Sequence, residues 1–179
     1  MKIVTKPAAS LVALAALLFA GAAHAQTVRT GHYSIDPAAM GAEQVSSSTN
    51  YSVAWADGLR NVAAQSACFA AAVHLPHGGT VTRITVWYSS TAPGDITGVL
   101  RQQLSDSQIA YIAGKELGST SGQRKAFNVP FVADSARSPE SALTQKIDNA
   151  RFSYTFRICL NGLNRAAFHG ARITYTYVD

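Results

Sequence analysis

The chain has few of the residues that build metal and redox sites. Only two cysteines, Cys68 and Cys159, occur among its 179 residues, and they form no C-x-x-C motif. A structural zinc site built from cysteines and thioredoxin-like redox chemistry are therefore both disfavoured. The H-E-x-x-H motif of zinc hydrolases is absent as well. We expect no cofactor.

Catalytic motifs and paired carboxylates are also missing. The G-x-S-x-G motif of serine hydrolases does not occur. The only glutamates, all in polar and loop-like sequence, are Glu43, Glu116 and Glu140. A glycosidase needs two carboxylates a few ångströms apart, and no pattern here predicts such a pair. The sequence thus favours a protein that is not an enzyme.

Charged residues are sparse, at 14% of the chain, and the basic ones are scattered. Arg124 and Lys125 are the only basic neighbours. A nucleic-acid-binding surface requires a basic stripe or arm, so we expect no nucleic-acid partner.

One strongly apolar run occurs, at residues 11–23, after a basic start at Lys2 and Lys6. Ala23 and Ala25 then provide the small residues of an A-x-A cleavage site. We predict a signal peptide over residues 1–25, a mature chain without a membrane span, and a secreted or periplasmic protein. Cleavage lowers the basic count from 15 to 13 against 10 acidic residues, which gives a net charge of about +3.

Export bears on the two cysteines, because an oxidising compartment and an even cysteine count favour a disulfide. We predict a Cys68–Cys159 bridge that closes a loop of roughly 90 residues. A buried pair of free thiols is the alternative, since cysteine packs as a small hydrophobic residue.

The mature chain is patterned as strands. Residues 80–88 are rich in β-branched and aromatic side chains, and Thr82, Ile84, Val86 and Tyr88 are predicted to share the more buried face. Residues 96–104 are predicted to form a further strand, and residues 166–178 a long final one. Residues 151–160 alternate clearly, with one face made of Phe152, Tyr154, Phe156, Ile158 and Leu160. Seven to nine strands without an amphipathic helix predict an all-β, antiparallel sandwich. We divide the chain into the signal peptide (1–25), a weakly patterned N-terminal arm (26–65) and a sandwich core (66–179).

A resemblance supports this fold. It rests on residues 72–78 leading into residues 80–82, on residues 86–88, 100–101 and 147–149, on the strand around Tyr154 and on residues 170–175. Over residues 66–178 the chain resembles small secreted bacterial β-sandwich proteins of largely uncharacterised function. The resemblance implies a jelly-roll-like sandwich and carries no catalytic signature.

The histidines are candidate metal ligands. His74 and His77 lie three residues apart, and His169 lies on the last predicted strand. Three imidazoles brought together by the fold would suit a transition metal. Pro76 extends the backbone between the first two, however, and the spacing differs from the histidine motif of cupins. Ordinary loop and strand-end histidines are the alternative.

The aromatic residues are candidate ligand-binding groups. Trp55, Trp87 and Tyr88, together with Tyr111, could form a flat platform for stacking sugars on a face of the sandwich. The alternative is that these side chains fill the core and cover its rim.

Three hypotheses about function follow. The main one is an exported, non-catalytic sandwich for assembly or binding at the cell envelope or outside the cell. Its arm would pair with its own sheet or with a neighbouring subunit, which predicts a homo-oligomer or an envelope partner. A carbohydrate-binding module with an aromatic face is the first alternative, so a glycan is a candidate partner. A metal-dependent enzyme built on the three histidines is the second.

Overall fold

The computed structural model describes residues 26–43, 51–54, 57–62, 65–104, 109–129, 145–162 and 164–179. The predicted signal peptide and Trp55 lie outside these residues, and so does the side chain of Tyr111. Within the described ranges, no helix has the length and hydropathy needed to cross a membrane.

The described residues form eleven strands and one short 3₁₀ helix, Pro37–Ala39. The strands are β1 (Val28–Ile35), β2 (Gly41–Ala42), β3 (Tyr51–Ala54), β4 (Gly58–Asn61), β5 (Ala67–Val73), β6 (Thr80–Ser90), β7 (Ile96–Leu104), β8 (Ile109–Leu117), β9 (Lys125–Asn128), β10 (Phe152–Leu160) and β11 (Ala166–Val178). The count exceeds the predicted seven to nine because β2 and β4 were not expected. They are two and four residues long, too short to show an alternating pattern.

The strands build two antiparallel sheets. The six-stranded sheet has the order β3-β4-β11-β6-β9, with β1 also paired to β11. The five-stranded sheet has the order β2-β5-β10-β7-β8. Their inner faces share one hydrophobic core, in which the rings of Phe156 and Phe168 lie 5.9 Å apart between centroids. The predicted all-β, antiparallel sandwich is confirmed.

The beginning of the described chain contributes to both sheets. β1 pairs with β11 of the same chain from Val28, opposite Val178, to Ile35, opposite Ala171. The side chain of Asp36 then accepts a hydrogen bond from the Ala38 amide and caps the 3₁₀ helix. β2 follows and pairs with β5 in the other sheet. The segment predicted as an arm thus forms hydrogen bonds with its own sandwich.

Strand alternation predicts the inner face of β10 correctly. Tyr154, Phe156, Ile158 and Leu160 are buried, and Phe152 is partly buried against the same core. The Tyr154 hydroxyl accepts a hydrogen bond of 2.7 Å from the Asp148 amide, and burial raises the pKa of that hydroxyl. A hydroxyl that satisfies a turn amide explains how a polar tip is accommodated in this core.

The same rule fails at one end of β6. Arg83 lies opposite Thr174, but Val81 lies opposite the next residue, Tyr175, so Thr82 is an extra residue in the ladder. This β-bulge reverses the alternation beyond it. Val81 is therefore fully buried and Thr82 is exposed, so the prediction that Thr82 faces the core is wrong.

The predicted disulfide is confirmed: Cys68 and Cys159 are bonded and lie directly opposite each other on β5 and β10. Cys159 lies between the buried residues Ile158 and Leu160, so the bridge is on the outer face of the five-stranded sheet. It links two central strands of that sheet.

Removing the bridge with Cys68→Ala and Cys159→Ala together is expected to lower the free energy of unfolding by about 4 kcal/mol, because the unfolded chain regains the freedom of a long loop. Urea titration of the mature protein measures this. Thr155→Ala, another outer-face change on β10, serves as the control and is expected to have little effect. An unchanged midpoint in the double variant, or two free thiols in the non-reduced protein by mass spectrometry, would contradict the prediction.

Candidate functional site

The outer face of the six-stranded sheet presents a partly exposed tryptophan. Ile84, Val86 and Tyr88 of β6 point into the core, so the residues between them point outward. Trp87 is one of these outward residues and is partly exposed. Tyr88 is buried, its hydroxyl donates to the Gly118 carbonyl at 2.9 Å, and burial raises its pKa. The two neighbouring aromatic candidates therefore lie on opposite sides of the sheet.

A second β-bulge brings a histidine onto this face. Phe168 lies opposite Tyr88 and Gly170 lies opposite Trp87, which leaves His169 as the extra residue in β11. Gly170 has a φ of 132°, a conformation that suits glycine. His169 Nε2 lies 3.1 Å from the hydroxyl of Ser89, so the bulge joins β6 and β11 through side chains where their backbone register is interrupted.

Gly58 closes the other side of the histidine ring. Its φ is +74°, and a Cβ at this position would lie 2.9 Å from His169 Nδ1. It would also collide with the carbonyl oxygen of Phe168. The absence of a side chain at residue 58 thus allows β4 to approach β11 closely at the bulge.

Small residues flank Trp87 across the sheet. Ala126 of β9 lies opposite it on one side and Gly170 of β11 on the other. In the next row, the Thr85 hydroxyl donates to Asn128 Oδ1 at 2.8 Å, and Arg172 lies opposite Thr85. The guanidinium carbon of Arg172 is 5.3 Å from the centre of the indole, a cation–π distance. Arg172 therefore packs on the indole of Trp87, and the residues opposite Trp87 on the two neighbouring strands have a small side chain or none.

Two further arginines lie beside the histidine. Arg60 of β4 is opposite Ala167, two residues before His169 in β11. Arg124 immediately precedes β9, and the loop before it is fixed by Thr120, which is 1% exposed and whose amide donates to the Ser90 carbonyl at 3.0 Å. The Trp87 face, as we name it, consists of Arg60, Trp87, Ser89, Arg124, His169 and Arg172.

The electrostatics of the face follow from burial and from these cations. Burial lowers the pKa of His169, the charges of Arg124 and Arg60 lower it further, and Asp57 acts in the opposite direction. At neutral pH the imidazole is consequently uncharged. The positive charge of the Trp87 face comes from the guanidinium groups of its arginines.

Serine and histidine are also the residue types that act as nucleophile and general base in many hydrolases, so the Ser89–His169 contact needs to be compared with such a pair. Ser89 is only 8% exposed, within the sheet, and its hydroxyl is held by the histidine. Asp57, the acidic residue near the ring, is not hydrogen-bonded to it in the described structure. We interpret the pair as a polar contact that orients the imidazole.

The three histidine candidates lie among different partners. His77 Nδ1 accepts a hydrogen bond of 3.1 Å from the Asn149 amide and lies 3.8 Å from Asp148 Oδ1, whereas His169 contacts Ser89. His74 is exposed just after β5. Over the residues that the structure describes, no three histidine, cysteine, aspartate or glutamate side chains form a metal-binding group.

Sequence reasoning identified Trp87 and His169 but missed the rest of the face. Arg60, Ser89, Arg124 and Arg172 come from four separate parts of the chain, and strand pairing brings them together. The adjacent Arg124 and Lys125 were the only local signal, and a solvated basic pair has the same appearance in a sequence.

Acid is expected to destabilise the fold through His169. Since its folded pKa lies below the unfolded value of about 6.5, the unfolded state binds the proton first as pH falls, and stability decreases through that range. In His169→Gln this part of the pH dependence should disappear. Chemical unfolding between pH 8 and 5 tests this, and an NMR titration giving a His169 pKa above 6.5 would contradict it.

The known proteins that are similar to this chain are solved structures with low sequence identity to it. No protein-family profile and no curated protein sequence matches the chain. The enzymatically active domain of tailspike protein 4 from bacteriophage CBA120 is 12% identical, with a TM-score of 0.39, over 86% of this chain and 18% of that domain. The carbohydrate-binding module TmCBM61, solved with β-1,4-galactotriose, is 13% identical, with a TM-score of 0.34, over 85% of this chain and 88% of its own. A family 11 carbohydrate-binding module from Clostridium thermocellum, solved with a β-1,3-1,4-mixed-linked tetrasaccharide, is 11% identical, with a TM-score of 0.36, over 82% of this chain and 86% of its own.

Proposed function

We propose that this chain is an exported, non-catalytic β-sandwich protein that binds carbohydrate through the Trp87 face. The observation that carries the proposal is the partly exposed indole on the outer face of the six-stranded sheet, surrounded by hydrogen-bonding side chains. The burial of Tyr88 and the partial exposure of Trp87 support Trp87 as the stacking residue.

The chemistry of a sugar suits this arrangement. One side of a pyranose ring is a surface of C–H groups that can stack on an indole, and its rim carries hydroxyls that need directional partners. Trp87 offers an apolar surface, and Arg172, Asn128 and Thr85 offer donors and acceptors one row away. A flat apolar surface with a few polar groups of fixed orientation is typical of small-ligand sites.

The small neighbours support the same proposal. Ala126 and Gly170 lie at the positions opposite Trp87 and do not rise above the sheet as larger residues would. A ligand can therefore approach the indole from the side of either strand. The bonded Thr85 and Asn128 fix the next row, which reduces the side-chain entropy lost when a ligand binds.

Export is supported by the disulfide, which is compatible with an extracellular or periplasmic protein. The signal peptide remains a prediction from the sequence. Homo-oligomerisation also remains one, and β1 already pairs with β11 of its own chain. Light scattering on the concentrated mature protein tests it, and a strict monomer would rule it out.

Truncating the indole is expected to remove glycan binding. In Trp87→Ala the affinity for a glycan identified on a glycan array should fall about tenfold or more, since a central tryptophan commonly contributes over 2 kcal/mol to an interface. Trp87→Phe should retain part of the affinity, because a ring for stacking remains. Isothermal titration calorimetry measures both variants.

Tyr177→Ala is the matched control, because Tyr177 is a partly exposed aromatic residue of the same sheet that contacts Tyr175 and not Trp87. The chain has two tryptophans, so Trp55→Phe leaves Trp87 as the sole indole fluorophore for an independent titration. An array without signal, or a Trp87→Ala variant with wild-type affinity and fold, would overturn the proposal.

A further inference from the structure

The charges of the Trp87 face indicate which class of carbohydrate it binds. Resting on the proposed function, we infer that the ligand is an acidic glycan whose carboxylate or sulfate groups are bound by Arg60 and Arg124 while a sugar ring stacks on Trp87. The argument depends on where these two arginines lie, on how they are partnered and on the sign of the surrounding charge.

The two arginines lie on either side of one row of the sheet. Arg124 precedes β9 at the level of Ser89, and Arg60 of β4 lies beyond β11 at the level of Ala167. His169 and Ser89 lie between them, and Trp87 is in the next row. An anionic group above His169 would thus be approached from both sides by guanidinium groups and would lie beside the indole.

Arg60 has a buried hydrogen-bond donor that is not satisfied in the described structure. Its Nε atom is buried and has no hydrogen-bond partner in the described structure, although the residue as a whole is partly exposed. A buried donor without a partner is costly, and a charged one more so. The buried Nε is out of reach of a ligand, but an anion at the exposed part of the residue would compensate the charge of this partly desolvated guanidinium. A carboxylate or a sulfate suits this role, because both form charge-assisted hydrogen bonds with arginine.

Three other arginines of the described structure have acidic partners. Arg29 pairs with Asp179 at 2.8 Å, Arg157 pairs with Glu43, and Arg165 lies 4.0 Å from Asp95. Among the described residues, neither Arg60 nor Arg124 has such a partner. Within the described part of the chain, Arg60 and Arg124 are therefore free of ion pairs that would compete with an anionic ligand.

The remaining charges of this face add to the positive field. Arg172 lies over Trp87, and the exposed Arg83 is on the same outer face of β6. Asp57 is the acidic residue whose charge reaches His169. With His169 neutral, the local balance is positive, which attracts anionic sugars and gives a neutral glycan no comparable electrostatic gain.

The test begins with a glycan array that contains uronate-bearing, sulfated and neutral oligosaccharides. The expected result is binding confined to the acidic glycans. Each acidic glycan that binds is then compared with its carboxyl-reduced or desulfated form, which should bind at least about tenfold more weakly because a charge-assisted bond is lost. The two arms separate a carboxylate ligand from a sulfate ligand. Affinity for the acidic form should also fall as NaCl is raised.

Arg60→Gln and Arg124→Gln should each weaken binding of the acidic glycan about tenfold or more and leave the affinity for its uncharged form unchanged. Arg151→Gln removes an exposed arginine that lies over Phe152 and is the control for net charge. Arg60→Met tests whether the residue is structural: it should unfold at the wild-type temperature or above, because the unpartnered buried donor is gone, and still lose acidic glycan binding.

The outcomes distinguish the two proposals. Binding of neutral glycans that depends on Trp87 and is unaffected by Arg60→Gln and Arg124→Gln would overturn the acidic specificity and leave the proposed function standing. An array without any bound glycan would overturn both. A lower unfolding temperature for Arg60→Met, together with an unaltered affinity in folded Arg124→Gln, would make the arginines structural and also overturn the inference.

Discussion

The pairing of β6 with β11 is the interaction on which the rest of the structure depends. These two long strands lie at the centre of the six-stranded sheet, and β1, β4 and β9 are attached to them. Their inner residues, including Ile84, Phe168 and Ile173, provide much of the buried face of that sheet. The backbone ladder determines which residues face the core, so any interruption of its register also changes what the outer face presents.

The register is interrupted twice, and the two bulges have different consequences. The extra residue Thr82 buries Val81 and moves a threonine to the solvent. The extra residue His169 brings an imidazole beside Ser89 and requires a glycine at residue 170. β-Bulges commonly redirect side chains near functional sites. In this sheet the second bulge is next to the partly exposed Trp87 and to Arg60 and Arg124.

Arg60 illustrates how a binding surface is compatible with a stable sandwich. The core beneath it is made of tightly buried aliphatic and aromatic residues, and the disulfide joins two strands of the opposite sheet. The cost of one buried donor without a partner is small in comparison with that burial. Proteins retain such costs where function needs them, and the acidic ligand that we infer would offset the charge of the guanidinium.

The sequence by itself determined the fold class and most strands. The bounds of β7 and β11 agree with the predicted ones, since nine to thirteen residues show alternation clearly, and the inner face of β10 was predicted residue by residue. The cysteine count and the predicted export were sufficient for the disulfide. By contrast, β2 and β4 were missed because a strand of two to four residues carries almost no periodic signal.

Only the tertiary structure decided which residues form the Trp87 face. Alternation along β6 predicted that Tyr88 lies on the more buried face and Trp87 on the opposite one, but it did not show which residues surround Trp87. It also could not show that Arg60, Arg124 and His169 are neighbours, since residues far apart in the chain are joined by strand register alone. The alternation of side chains is local and can be read from the chain, whereas the register of distant strands depends on packing across the whole sandwich.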